Sequence, residues 1–278
     1  MRRCGRTFPL LSGVLAAGVL RAAPDREVQE ELAAGAVGAL AASGPGDRLP
    51  GAPLHWDGSR LTGTAVSVAD AERADVLVLL AKGADGPVAA VVRRGDLGLR
   101  PQEAFDATRP LADVDVAVRP ERVFAVDLEE ALAVPLVATA AELVGTGTRL
   151  LDLAVTHALV REQFGKPIGS FQGIKHRLAD CYVALERARS LTYAAAMLVE
   201  DRDATSTQRW RSALLAKAAA GEAASETARS CVQVHGALAM SWEHDAHLYL
   251  RRAWQSAALL GEPRACYAAA GALLVAGG

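Results

Sequence analysis

The segment REQFGKPIGSFQ, residues 161–172, places an arginine, an aromatic ring and a glutamine where a long apolar helical pattern gives out. A fixed cation, a ring and an amide are groups that bind rather than react. A helix ending at Phe164 and Gly165, with Lys166 and Pro167 beyond it, accounts for the glycine and the proline by ordinary stop signals. It leaves Arg161, Phe164 and Gln172 unexplained as a set.

Other apparent chemistry has a simpler reading. GTGTRL at 145–150 lacks the third glycine of a dinucleotide loop and sits inside a helical pattern with no strand before it, so it reads as small-residue helix packing. WEHDAHLY at 242–249 offers His244 and His247 three residues apart, but without HExxH spacing or a clear third ligand. Acidic residues favoured at a solvated helix N-terminus explain it better than a metal. There is no GxSxG elbow and no Walker loop.

The elements that must position these groups fall into three parts. Residues 8–43 give two helical patterns broken at Pro24, followed by the turn-rich SGPGDRLPGAP at 43–53. From 54 to 128 short Val-rich runs (LTGTAVSV, DVLVLLAK, PVAAVVRR, VDVAVRP) alternate with Gly and Asp turns, the pattern of antiparallel strands. From 129 to 278 the spacing predicts helices over 134–163, 172–201, 205–235 and 242–260, and a last one over 263–276. In the second of these, Ile174, Leu178, Cys181, Leu185 and Ala188 recur at steps of three and four, giving one apolar stripe. The expected fold class is α+β multidomain: a short N-terminal helical segment with its linker (1–53), a small antiparallel β-domain (54–128) and a C-terminal four-helix bundle (129–278).

Composition narrows the function classes. The 278 residues are 51% hydrophobic with a formal net charge of -2 and a pI near 6.3, and Lys and Arg are scattered, so no nucleic-acid partner is expected. Arg2, Arg3 and the apolar run after them imitate a secretory signal, but Arg21 interrupts the cleavage region and the same residues suit a short buried helix. No run of 18 or more apolar residues occurs, and no membrane span is expected. The four cysteines (Cys4, Cys181, Cys231, Cys266) follow no metal spacing and read as reduced, buried thiols of a cytoplasmic protein.

Taken with KHRLADCYV and CVQVHG, the 161–172 segment resembles the C-terminal domain of the acyl-CoA dehydrogenase family over residues 129–262; LTGTAVSVADAERADVLVLLA and FDATRPLADVDV resemble its middle β-domain more weakly. The resemblance implies FAD as cofactor. It implies that Arg161, in the family's R-x-x-F-G-K run, reaches across a dimer interface to the FAD pyrophosphate, as a guanidinium fork suits phosphate oxygens. Phe164 would pack near the flavin–adenine linkage, and Gln172 would serve the same neighbouring flavin. In the family's Q-x-x-G-G-x-G-F run, which lets backbone approach the ADP moiety, Gln233 and Gly236 match while Ala237, Ala239 and Met240 depart.

The family reaction is α,β-dehydrogenation of an acyl-CoA thioester, in which a glutamate removes the α-proton. Here the register puts Leu260 at the usual position of that base and Pro135 at the position used by a minority lineage; Glu262 comes two residues late and precedes a proline. The T-E-P-x-x-G-S-D segment that begins the flavin cradle is replaced by ASGPGDRLPG. This pattern resembles the truncated small subunit of the heteromeric α2β2 acyl-CoA dehydrogenases of actinobacterial steroid degradation. It implies a heterotetramer in which a larger, base-bearing subunit is the partner, an acyl-CoA with a steroid side chain is the substrate and electron-transfer flavoprotein is the acceptor. Two other readings are a self-sufficient homomeric enzyme using Glu262 as base and a flavin-free scaffold.

Overall fold

A computed structural model describes residues 9–21 and 26–276. Pro24, the predicted helix break, and Cys4, Arg2 and Arg3 lie outside the described residues. α1 (Leu10–Leu20) buries Leu11, Leu15, Val19 and Leu20. Its Gly18 lies where a Cβ would come within 2.9 Å of Val134 Cγ1 and 3.0 Å of Pro135 Cδ, so the helix lies hard against the bundle. The amphipathic α2 (Arg26–Ala33) inserts Val28 into the same core.

Helical structure does not continue to residue 43 as the sequence predicts. Gly35, at φ 108°, carries the chain out of α2, and Gly38–Ala41 form a strand, β1, buried along its whole length. An Ala-rich tetrapeptide has no strand propensity of its own. It pairs in parallel with β4 (Val76–Gly83), whose VLVLLA run is buried on both faces, and burial overrides local preference. The remaining strands are β2 (Leu54–Trp56), β3 (Leu61–Ala69), β5 (Gly86–Arg93), β6 (Gly98–Gln102), β7 (Leu111–Val118) and β8 (Arg122–Ala125). Their order is β6-β7-β3-β2-β4-β5-β8 with β1 added on β4. The pairings are antiparallel, as the Val-rich runs and tight turns predict, except that β4 pairs in parallel with both β1 and β2.

The helical region comprises α3 (Leu128–Val160), α4 (Gln172–Glu200), α5 (Ser206–His235), α6 (Ala246–Ala258) and α7 (Pro263–Ala276). Asp127 caps α3 by accepting from the N–H groups of Glu129 and Glu130, and Thr205 with Gln208 forms a capping box on α5. α3 is long and apolar enough to cross a bilayer, but 61% of its most apolar window is buried, and here it is the central core helix. GTGTRL lies within it. A Cβ on Gly147 would come 2.5 Å from Leu185 Cδ2 and 3.3 Å from Ala224 Cα, which shows why small residues stand where α3, α4 and α5 converge.

A buried polar network joins sheet to bundle. The loop between β6 and β7 contributes Asp106 and Arg109; α3 contributes Glu142, and α6 Arg252, Gln255 and Ser256. Arg109 pairs with Glu142 and donates to Ser256 Oγ at 2.9 Å; Ser256 donates to Glu142 at 2.9 Å; Arg252 pairs with Asp106. Gln255 accepts from the Asp106 N–H at 2.8 Å and donates to the Arg109 carbonyl at 3.0 Å. Asp106 and Arg109 are buried, so removing one partner would strand a charge at a cost of about 3–5 kcal/mol.

Candidate functional site

The 161–172 segment departs from its predicted form in an informative way. α3 stops at Val160, not at Gly165, with Arg161 as an extended C-cap whose N–H reaches the His157 carbonyl. The chain then makes a miniature hairpin from β9 (Glu162–Gln163) and β10 (Lys166–Pro167), in register Gln163↔Lys166 and Glu162↔Pro167. The two-residue turn is Phe164-Gly165, with φ 54° and 75°. Positive φ at both central residues defines the type I′ turn that matches strand twist, so Gly165 serves the hairpin rather than a helix end. Phenylalanine in that conformation costs about 1–2 kcal/mol. Its ring is nevertheless 94% exposed, edge-on to Phe171 at 6.1 Å. A strained, solvent-facing aromatic at a turn tip is poorly explained by folding alone.

Arg161 is exposed, and its side chain makes no hydrogen bond or ion pair among the described residues. Gln172 is the first residue of α4. It too is exposed, after Phe171, whose side chain caps nothing but whose carbonyl accepts the N–H groups of Ile174 and Lys175, each at 3.1 Å. Gln233 lies exposed in the last turn of α5. Gly236 ends that helix at φ 63°, ψ −144°, a conformation closed to other residues, and leads into the 3-10 turn Gly236–Met240. No atom stands within 4 Å of a Cβ built on it; the backbone, not crowding within this chain, requires the glycine. Ala237 and Met240 are exposed, and Ala239 is buried.

Two segments 70 residues apart thus share one end of the bundle, and histidines join them. His157, in the last turn of α3, stacks on His235, the last residue of α5, with centroids 4.3 Å apart; His235 in turn packs against His244 at 4.6 Å. Burial foremost, with neighbouring imidazoles, holds His157 and His235 below the usual imidazole range. His247, expected at a solvated helix end, is buried instead and bonds through Nδ1 to the His244 carbonyl at 2.8 Å. Among the described residues no cluster of three or more His, Cys, Asp or Glu could hold a metal.

Leu260, at the position where the sequence register expects the base, stands in a different setting. Leu260 adopts φ 56° and is 5% exposed, packed into the core that includes Leu20, Leu49, Val199 and Leu214. A Cβ on the next residue, Gly261, would come 3.1 Å from Leu49 Cδ2 and 3.3 Å from the Arg48 carbonyl, so the 43–53 linker lies against this corner. Beneath it, the fully buried Lys217 donates to the carbonyls of Ala257 and Gly261, both at 2.9 Å, and burial pushes its pKa down to about 8. The lone charge in the run ALLAKAAA was the available sequence signal for Lys217. Pro135 is buried where α1 meets α3, and Glu262 is exposed just ahead of α7.

Residues 127–262 match the acyl-CoA dehydrogenase C-terminal domain. The chain is 33% identical over 282 aligned residues to acyl-CoA dehydrogenase FadE27 of Mycobacterium tuberculosis, covering 91% of this chain and 72% of that protein. It is 41% identical over 166 residues to acyl-CoA dehydrogenase IpdE2 of Mycolicibacterium smegmatis; the match takes in 59% of this chain and about half (49%) of that relative's length. The solved Tcur3481-Tcur3483 steroid ACAD, a G363A variant, superposes with a TM-score of 0.87 over 97% of this chain and 76% of that one, at 26% identity. The chain belongs to the acyl-CoA dehydrogenase family. The exposed guanidinium, unpaired among the described residues, the strained aromatic and the glycine-only turn form a set whose chemistry fits a dinucleotide's phosphates and rings.

Proposed function

We propose that this chain is the subunit of a heterotetrameric, FAD-dependent acyl-CoA dehydrogenase that does not carry the catalytic base. Arg161, Phe164, Gln172, Gln233 and Gly236 complete the FAD site of a larger partner subunit, which supplies the glutamate. One asymmetry carries the reading: the groups suited to a neighbour's cofactor stand in solvent, the Arg161 guanidinium without a partner among the described residues, while the expected base position is a leucine sealed in the chain's own core. Bound there, FAD would supply the acceptor for the β-hydrogen as hydride. Arg161 would neutralise pyrophosphate charge, the Gly236 turn would admit backbone close to the ADP moiety, and Phe164 would cover the linkage from water.

The proposed substrate is an acyl-CoA with a steroid side chain, and the proposed electron acceptor is electron-transfer flavoprotein. The two-chain Tcur3481-Tcur3483 steroid ACAD supports both the pairing and the substrate class. The complex is assigned to the cytoplasm, a reading supported by Cys181, Cys231 and Cys266, all free and buried. The test is to compare kcat/KM of the co-expressed complex for a steroid side-chain CoA ester and for octanoyl-CoA. Preference for the steroid thioester is expected, and preference for octanoyl-CoA would overturn the substrate assignment.

A further inference from the structure

His157, His235 and His244 form a line of imidazoles contributed by three different elements: the last turn of α3, the end of α5 and the loop before α6. The first two rings stack face to face, 27° from parallel, and the third tilts against them at 52°. Local hydrogen bonds fix the proton positions of two of the rings; the bond to the Cys231 carbonyl favours a proton on His235, and burial outweighs it. His235 Nδ1 lies 2.8 Å from the Cys231 carbonyl, which requires the proton on that nitrogen. His244 Nδ1 accepts the Ala246 N–H at 3.1 Å, which requires that nitrogen bare. Among the described residues no carboxylate hydrogen-bonds to any of the three rings.

The charged and titratable groups around the stack add little to counter a positive charge. α3 presents Arg161, whose charge disfavours a proton on His157. α5 presents the Cys231 thiol, kept protonated by burial with its pKa pushed up to about 11, and Cys181 of α4 lies beside it. The loop carries exposed Glu243 and Asp245 in solvent, and α6 presents His247, whose Nε2 is buried without a partner. Two of the three rings, His157 at one end and His235 in the middle, are anchored to the proposed cofactor-facing segments. His157 accepts the Arg161 N–H on its carbonyl, one residue before the hairpin, and His235 immediately precedes the Gly236–Met240 turn.

We propose that His157, His235 and His244 are positioning residues: a neutral imidazole clasp that holds the 161–172 hairpin and the 236–240 turn in one surface, and releases both on protonation. The effect on flavin rests on the function proposed above, whereas the clasp itself does not. A proton on one stacked ring repels the next and draws on no counter-ion, and opening lets two or more rings take protons together. A clasp that takes up two protons on opening shifts its equilibrium by about 100-fold per pH unit, against about 10-fold for one proton. The window lies below the ordinary imidazole value of about 6.5. At higher pH the stack is neutral and closed; as pH falls through that window, the unfastened form gains protons that the closed form refuses.

Amide hydrogen–deuterium exchange on the full chain at about pH 7.5 and about pH 5.5, corrected for intrinsic rates, tests this within the imidazole range. Segments 161–172 and 236–245 are expected to lose protection together and by more than 10-fold, with the middle of α3, α4 and α5 unaffected. His157→Gln and His244→Gln, two separate variants at half-buried positions, are each expected to flatten that dependence. No acid-induced opening, uniform loss across the chain, or an unaltered slope in both variants overturns the proposal. In the co-expressed complex, FAD release is expected to be faster at the lower pH, and less so in His157→Gln. Equal retention at both pH values overturns the proposal as it concerns the cofactor. A chain whose segments open together, but which binds no flavin in any complex, keeps the clasp and refutes the function.

Discussion

Replacing Phe164 by asparagine should make the chain more stable and the enzyme worse. The ring sits at φ 54°, where phenylalanine is disfavoured by about 1–2 kcal/mol and asparagine is tolerated. Being 94% exposed, it gives up almost no burial when removed; its remaining contact is the edge of Phe171 at 6.1 Å, worth about 0.5 kcal/mol at such exposure. The difference leaves a gain of about 1 kcal/mol, or a rise in Tm of about 2–4 °C for a chain of this size. Thermal unfolding of the isolated chain by circular dichroism measures the first effect. Flavin content after gel filtration of the complex measures the second, which should fall. A lower Tm would mean that the ring supports its own fold. Unchanged flavin retention would mean that the strain serves nothing at the site. Either result refutes the reasoning.

Arg161→Ala should weaken FAD retention in the complex by about 2–4 kcal/mol, read by flavin release on dilution, because it leaves a charged phosphate partner unpaired; unchanged release contradicts the assignment. Glu262→Gln should leave turnover within a few-fold, whereas removal of a general base costs at least about 100-fold; a collapse of that size with flavin bound would make Glu262 the base. Lys217 titrates near 8 in the fold, against about 10.4 unfolded, so the unfolded chain holds the extra proton between those values and wild-type stability should gain with rising pH there. In denaturant titrations the wild type minus Lys217→Met difference should therefore rise by on the order of 3 kcal/mol from pH 8 to 10.4, and a flat difference curve would place the ammonium in water.

The helices of the bundle were legible because their apolar stripes repeat over many turns: Cys181, Leu185 and Ala188 of α4 are all buried, as their spacing predicts. β1 was not, because Gly38–Ala41 becomes a strand only when β4 is beside it. Gly165 misled for a physical reason. A glycine after a helical pattern satisfies both a helix stop and the second position of a type I′ turn, and strands of two residues are too short to alternate. Arg161, Phe164, Gln172, Gln233 and Gly236 were nameable only through the resemblance to family motifs, and their exposure and the strain at Phe164 were not legible at all. The histidine stack and the Lys217 caps join residues from separate elements, and no periodicity within one segment brings them together.

Whose flavin these residues serve is decided by flavin stoichiometry. The chain purified alone, and the complex co-expressed with a base-bearing acyl-CoA dehydrogenase subunit, would each be assayed for FAD by absorbance after denaturation. A colourless chain alone and a yellow complex, with FAD present only when the partner is, are the predicted results. Stoichiometric FAD on the isolated chain would contradict the account.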